Sequence, residues 1–325
     1  MSNTARGLAW LIPFVVLVAG TDVYAGHTVQ SLNPVTVGAV SFTFASVLFI
    51  GINAARSGVA SSFRPWRTNR NDVVMFNVMT ALTWLTLLFS LKFLEPAVVS
   101  VVTFAIGPAI MVVIGPLLRR SSVTLATELV VSVLILGLIG ALSWGSIDGL
   151  SGIGKIGTER AVVGLTLAVI CGGAYVGTIV YSKRLSDAGL TPLSTLALRY
   201  PLMVVVSWIL VGFSSHPDIL PALLPGAGFA LIGVALQNYI GQVGIKYVEP
   251  ITASLLDTLS PLVAYMLQFL DGRLHPTAFT LTCILAITAL VGLGVLARSR
   301  YESRLPATVV ALPIGEEDSA TESAA

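Results

Sequence analysis

The chain has 325 residues, 55% of them hydrophobic and 10% charged, with a formal net charge of +2. Soluble domains carry about 25% charged residues, and the mean hydropathy here is +0.90. Such a composition excludes a water-soluble globule and gives no basic surface for nucleic acid, so the lipid bilayer is the expected surrounding.

Apolar runs long enough to cross a bilayer, about 20 residues, follow one another along the chain. In order they predict ten transmembrane helices, over residues 7–29, 33–53, 73–92, 96–118, 124–143, 161–182, 194–213, 226–245, 250–270 and 276–297. Pro, Gly and short charged clusters separate them, and the short linkers make neighbouring helices antiparallel. Val23-Tyr24-Ala25, in the first run, weakly resembles a signal-peptide cleavage site. Only one basic residue, Arg6, precedes that run, so it is read as a retained span. After Arg304 the composition changes. Pro306, Pro313, Glu316, Glu317, Asp318 and Glu322 show no helical periodicity, and residues 301–325 read as a disordered tail.

Two segments of the chain resemble each other. Lys92, Glu95, Pro96 and Ser100 recur as Lys246, Glu249, Pro250 and Ser254, each 154 residues later. Pro108 has a counterpart in Pro261, one residue early. The chain therefore divides into a first five-helix repeat (1–145), a Gly-rich extracytoplasmic linker (146–160) and a second five-helix repeat (161–300).

Lysine and arginine fix the orientation. With the N-terminus inside, thirteen basic residues fall on inner loops and four, Lys92, Lys155, Arg160 and Arg273, on outer ones. Arg199 lies just inside a span; it could meet an anionic group, but snorkelling inward explains it more simply. Both termini are then cytoplasmic. Five spans per half is an odd number, so the second half enters the membrane upside-down. An all-α membrane protein of ten helices in two inverted-topology repeats is the signature of an alternating-access transporter with its site between the halves.

Ionisable groups inside the bilayer need a cavity, a partner or a protonation change. Asp22 lies about 15 residues into the first span, and Asp257 about seven into the ninth. Both are candidates for proton coupling. Asp22 also fits a residue solvated at the outer rim, and Asp257 a helix-bridging one. Pro261 follows Asp257 by four residues, and Pro108 follows Phe104 likewise. Each proline leaves a helical carbonyl without its donor and weakens its helix near the midplane, or merely kinks it. Gln237 and Asn238 in the eighth span, offset by 154, match Thr83 and Trp84 in the third, with Asn77 two turns earlier. These residues, with Tyr175 and Tyr265 as aromatic walls, are candidates to line a substrate cavity, although amides also bridge helices. His27 could relay protons with Asp22 or simply sit at the interface.

Two nucleotide motifs are set aside. Gly152-Ile153-Gly154-Lys155-Ile156-Gly157 satisfies G-x-G-x-x-G, and Gly149 to Lys155 nearly forms a P-loop. No strand precedes either, and Ile156 stands where Ser or Thr would ligate magnesium. This stretch reads as a flexible loop joining the halves. Cys171 and Cys283 lie in apolar runs and read as packing residues. No metal-ligand cluster, cofactor motif or catalytic constellation is present in the sequence.

The corner-plus-helix segments, Lys92–Pro116 and Lys246–Leu270, carry a small-residue run ending in proline: Ala105-Ile106-Gly107-Pro108 and Thr258-Leu259-Ser260-Pro261. In these and in the ten-span plan, residues 7–300 resemble the EamA family of the drug/metabolite transporter superfamily. Where that family has a Gly-Ser-Asn-like stretch in the first span, this chain has Gly20-Thr21-Asp22. Where the family's fourth and ninth spans end near Glu, this chain has Arg119 and Asp271. The resemblance implies export of amino acids, metabolites or drugs. The expectation is a monomeric secondary transporter of the cytoplasmic (inner) membrane, not an enzyme, exporting a small amphipathic metabolite such as an amino acid under proton coupling. An importer or facilitator on the same fold is the alternative, ahead of an intramembrane enzyme or sensor.

Overall fold

The computed structural model of the chain describes residues 3–106, 126–245, 256–257 and 259–302. Every regular element among them is a helix. In hydrocarbon no water can satisfy a backbone N–H or C=O, so each segment must close its own hydrogen bonds. The first helices are α1 (Asn3–Ser31), α2 (Pro34–Ser57) and α3 (Arg70–Phe93). Then come α4 (Pro96–Ile106), α5 (Ala126–Asp148) and α6 (Thr158–Asp187). The last are α7 (Pro192–Gly212), α8 (Ile219–Ile245), α9 (Ser260–Leu270) and α10 (Ala278–Glu302).

Starts are written locally. Asn33 accepts the Val35 N–H at 3.0 Å ahead of Pro34, and Thr191 accepts the Ser194 N–H at 3.2 Å ahead of Pro192. Proline at the first helical position loses nothing there, because that N–H has no helical acceptor. Pro261 occupies the same kind of position, in the first turn of α9. The helix of the ninth span thus restarts beside the proline.

Among the described residues, seven helices are long and apolar enough to cross a membrane: those within α1, α2, α3, α5, α6, α7 and α8. Three shorter apolar helices, Pro96–Ile106, Ser260–Leu270 and Ala278–Gly294, stand where the other three expected spans fall. The expected fourth and ninth spans run into residues outside those described, which shortens both. Pro108, the second Lys-Glu-Pro corner and the tail beyond Glu302 also lie outside the described residues.

Helices of the first half pack on helices of the second. α3 lies along α6, α2 against α7 and α8, α1 against α8 and α9, and α5 against α10. The end of α4 approaches α6 closely because Gly172 has no side chain; a Cβ there would fall 2.5 Å from the Thr103 carbonyl oxygen. Small residues at such crossings let helices gain van der Waals contact where lipid supplies no hydrophobic drive. At the centre Phe42 stands 5.1 Å from Trp84 and 5.4 Å from Tyr200, and Trp84 meets Phe229 edge-on at 5.9 Å.

Two helices are irregular where they approach this centre. α7 breaks at Tyr200, between Pro192–Arg199 and Pro201–Gly212. α8 is wound as a π-helix over Phe229–Leu236 and returns to α at Gln237. Such departures from α geometry concentrate at functional sites.

Candidate functional site

A cavity of about 430 Å³ lies between the halves, walled by α1, α3, α4, α6, α7, α8 and Asp257. It extends from Lys183, Ser186, Asp187 and Pro192, where α6 passes into α7, to Asp22, Thr103 and Cys171 at depth. Thr83, Trp84, Tyr175, Gln237, Asn238, Asp22 and Asp257 all line it. The residues paired by the 154-residue offset thus meet on one cavity from α3 and α8.

Each wall residue is held by its own helix. Thr83 spends its hydroxyl on the Met79 carbonyl at 2.7 Å. Trp84 and Gln237 are buried, and Trp84 Nε1 and Gln237 Oε1 have no hydrogen-bond partner. Tyr175 packs edge-on against Phe104 at 5.5 Å. Asp22 is buried and accepts a hydrogen bond from Ser100, which ties α1 to α4. Asp257 is half-buried on the cavity wall.

Two expected members lie elsewhere. Asn77 is buried in the α3–α7 seam. Its Nδ2 donates to the Leu198 carbonyl at 2.7 Å, and its Oδ1 accepts the Leu202 N–H at 3.2 Å. It acts as a bridge across the break in α7. Tyr265 packs against Phe269 and donates to the Thr277 carbonyl at 3.0 Å, which joins α9 to the start of α10. The Asn77 amide is taken up by backbone at the break in α7, and the Tyr265 phenol by a carbonyl at the start of α10. His27 does not meet Asp22; its exposed ring lies 3.4 Å from Asp271.

Arg199 was read from the sequence as a snorkelling residue, and the structure corrects this. It is 6% exposed and lines the cavity. Its Nη1 donates to Asn238 Oδ1 at 2.6 Å, while Phe76 and Tyr200 flank the guanidinium at 5.5 and 5.7 Å. Asn238 is turned for this by its own Nδ2, which donates to the Val234 carbonyl within the π-helical stretch at 2.7 Å. The available signal was position: Arg199 lies five residues into an expected span, whereas every other lysine and arginine falls outside the spans or at an end of one.

The far end of the bundle is tied shut. Glu95, at the α3–α4 corner, is buried and accepts the Gly152 N–H. Burial raises its pKa above the ordinary glutamate value, while Thr280 and the Gly152 N–H act in the opposite sense. Thr280 stands near the carboxyl, yet Oε1 is left without a well-aligned donor. The Gly152 carbonyl accepts the His275 N–H at 2.9 Å, and Thr277 Oγ1 donates to the Leu150 carbonyl at 2.6 Å. The 149–157 loop, expected to be flexible, is therefore anchored to both halves. Gln30 adds donors to the Leu91 and Lys92 carbonyls at 3.1 and 2.9 Å. Asp271 takes Arg273 Nε at 2.9 Å, and this contact above all holds its pKa down at about 2.

No curated protein matches the chain by sequence. A protein of known crystal structure, 17% identical, aligns with 93% of this chain and 99% of its own at a TM-score of 0.61. At that identity the likeness establishes a shared fold. Residues 5–144 match the EamA-like transporter family, over the helices that supply Asp22, Thr83, Trp84 and Phe104 to the cavity. The matched stretch is less than half of the chain and lies wholly within its first half.

Proposed function

We propose that the chain is a secondary transporter of two inverted five-helix repeats, exporting a small amphipathic metabolite such as an amino acid across the cytoplasmic membrane. The observation that carries this is the cavity itself. It lies between helices of the two halves, mixes amides and hydroxyls with aromatic walls, and faces away from an end that is tied shut. In the orientation set by the basic residues, the cavity mouth at Lys183–Pro192 is cytoplasmic and the tied end is extracytoplasmic. That is one of the two states an alternating-access cycle requires. Asp22 and Asp257, both on the cavity wall, are the groups proposed to exchange protons with the transported solute.

The test is flux in proteoliposomes of purified protein, sorted by orientation, with and without an imposed pH gradient. Export predicts that a small amphipathic solute leaves the compartment facing the termini faster when protons enter it. Folded protein that moves no metabolite in either direction sinks the reading. Gradient-independent movement in both directions replaces it with a facilitator.

A further inference from the structure

Arg199 has a feature that transport as such does not demand. It is a buried cation on the cavity wall, and among the described residues no carboxylate lies within ion-pair distance of it. Its one hydrogen bond goes to a neutral amide, Asn238, and its Nε has no partner. A guanidinium removed from water without a counter-ion is costly. Here it is nonetheless built in. Phe76 and Tyr200 hold it from two sides, and Asn238 is itself braced by the Val234 carbonyl. Three acids share the cavity: Asp22 is bonded to Ser100, Asp187 is exposed at the mouth, and half-buried Asp257 makes no ion pair with Arg199 among the described residues. Lys183, at the mouth, is exposed and solvated, so it can draw anions in without holding them.

We infer that Arg199 is the anion anchor of the cavity, and that the solute it receives carries a carboxylate. This rests on the transporter reading and narrows it to a substrate class. An incoming carboxylate replaces lost water with charge-assisted hydrogen bonds, which are the strongest a guanidinium can form. Asn238 positions the guanidinium rather than binding the anion itself. Trp84 and Tyr175 then face the apolar part of the same solute.

The experiment uses matched probes on the purified full chain at pH 7: 3-phenylpropionate, its neutral isostere 3-phenylpropionamide, and phenethylamine. Thermal stabilisation reports binding, because a ligand stabilises the state it occupies. The carboxylate should bind about tenfold or more tightly than the amide, since it adds charge-assisted bonds to the same apolar body. Arg199→Gln should erase that preference, and Arg199→Lys should keep part of it. If Arg199→Gln does not fold, the wild-type comparison alone decides. Equal binding of amide and carboxylate, stronger binding of the amine, or no stabilisation by the carboxylate each overturns the inference. Proteoliposome flux of the same three probes separates this failure from that of the transporter reading. Movement of amide or amine without carboxylate preference removes the anchor and keeps the transporter. Carboxylate-selective binding with no flux of any probe keeps the anchor and removes the transporter.

Discussion

Leu198 and Leu202 stand four residues apart in α7 but are joined through Asn77 of α3. The Asn77 amide gives its N–H to the Leu198 carbonyl and takes the Leu202 N–H on its oxygen. It stands in for the helical bond that the break at Tyr200 leaves open. Asn77→Ala therefore leaves a buried donor and a buried acceptor unsatisfied, at about 1–3 kcal/mol each. Thermal unfolding should show a clear loss of stability, with ligand affinity changed less than by alteration of Asn238. Full stability in Asn77→Ala would mean the seam closes without the amide.

Glu95 predicts a pH-dependent tie at the closed end. Its pKa in the tied state is raised by burial, so the tied state favours the protonated form. The stabilisation is complete below the ordinary glutamate range and is lost as pH rises through the elevated value. Hydrogen exchange of the 149–157 segment, corrected for its intrinsic rate, should speed up across that window. Glu95→Gln should flatten the response, because glutamine keeps an acceptor for the Gly152 N–H without a charge. An unchanged pH response in that variant would contradict the assignment to Glu95.

The close crossing of α6 over the end of α4 gives a third prediction. Gly172→Val should cost about 1–3 kcal/mol, as overpacking typically does, because the added atoms meet backbone at Thr103. Gly140→Ala, where a Cβ meets nothing within 4 Å, should be neutral or stabilising by about 0.4–1 kcal/mol. The comparison is read from thermal midpoints in one detergent. Equal tolerance of both changes would show that the α6 crossing can relax.

Asp257 and Asp22 separate coupling from binding. Asp257→Asn should retain solute exchange but lose pH-driven net flux, because asparagine keeps the size and the hydrogen bonding and removes titration. Asp22→Asn should be milder in flux and cost little stability, since the asparagine oxygen can still accept the Ser100 hydroxyl. Normal pH-driven flux in Asp257→Asn moves the coupling role to Asp22.

Orientation is checked by cysteine labelling. A cysteine at Ser151 should react from outside only slowly, since that residue is buried in the tied loop, and one at Ser61 should not react at all. External labelling at Ser61 would reverse the cavity mouth and the direction of export together.

The helices and the cavity were legible from sequence because the bilayer imposes a strong pattern. Runs of about 20 apolar residues stand out, and an internal offset of 154 brings Thr83 and Trp84 opposite Gln237 and Asn238. Asn77 and Tyr265 were misplaced for a physical reason. An amide or phenol looks the same in the sequence whether it serves a ligand or a carbonyl, and the breaks that consume these two form only in the packed bundle. Arg199 was undervalued because snorkelling explains a basic residue near a helix end equally well. Its bond to Asn238, just beyond the π-helical stretch of α8, forms only in the packed bundle.

The ties at the closed end have one property in common. Gly152 N–H, Gly152 C=O, Leu150 C=O, Leu91 C=O and Lys92 C=O are all main-chain groups. The latch therefore grips the path of the loop and not its letters. Substitutions at Leu150 or Ile153 alter the exposed face of the loop without removing a partner from the latch. Gly152 is the exception, because any side chain there would press on Glu95. The outer rim is thus free to drift in sequence while the closure beneath it stays the same.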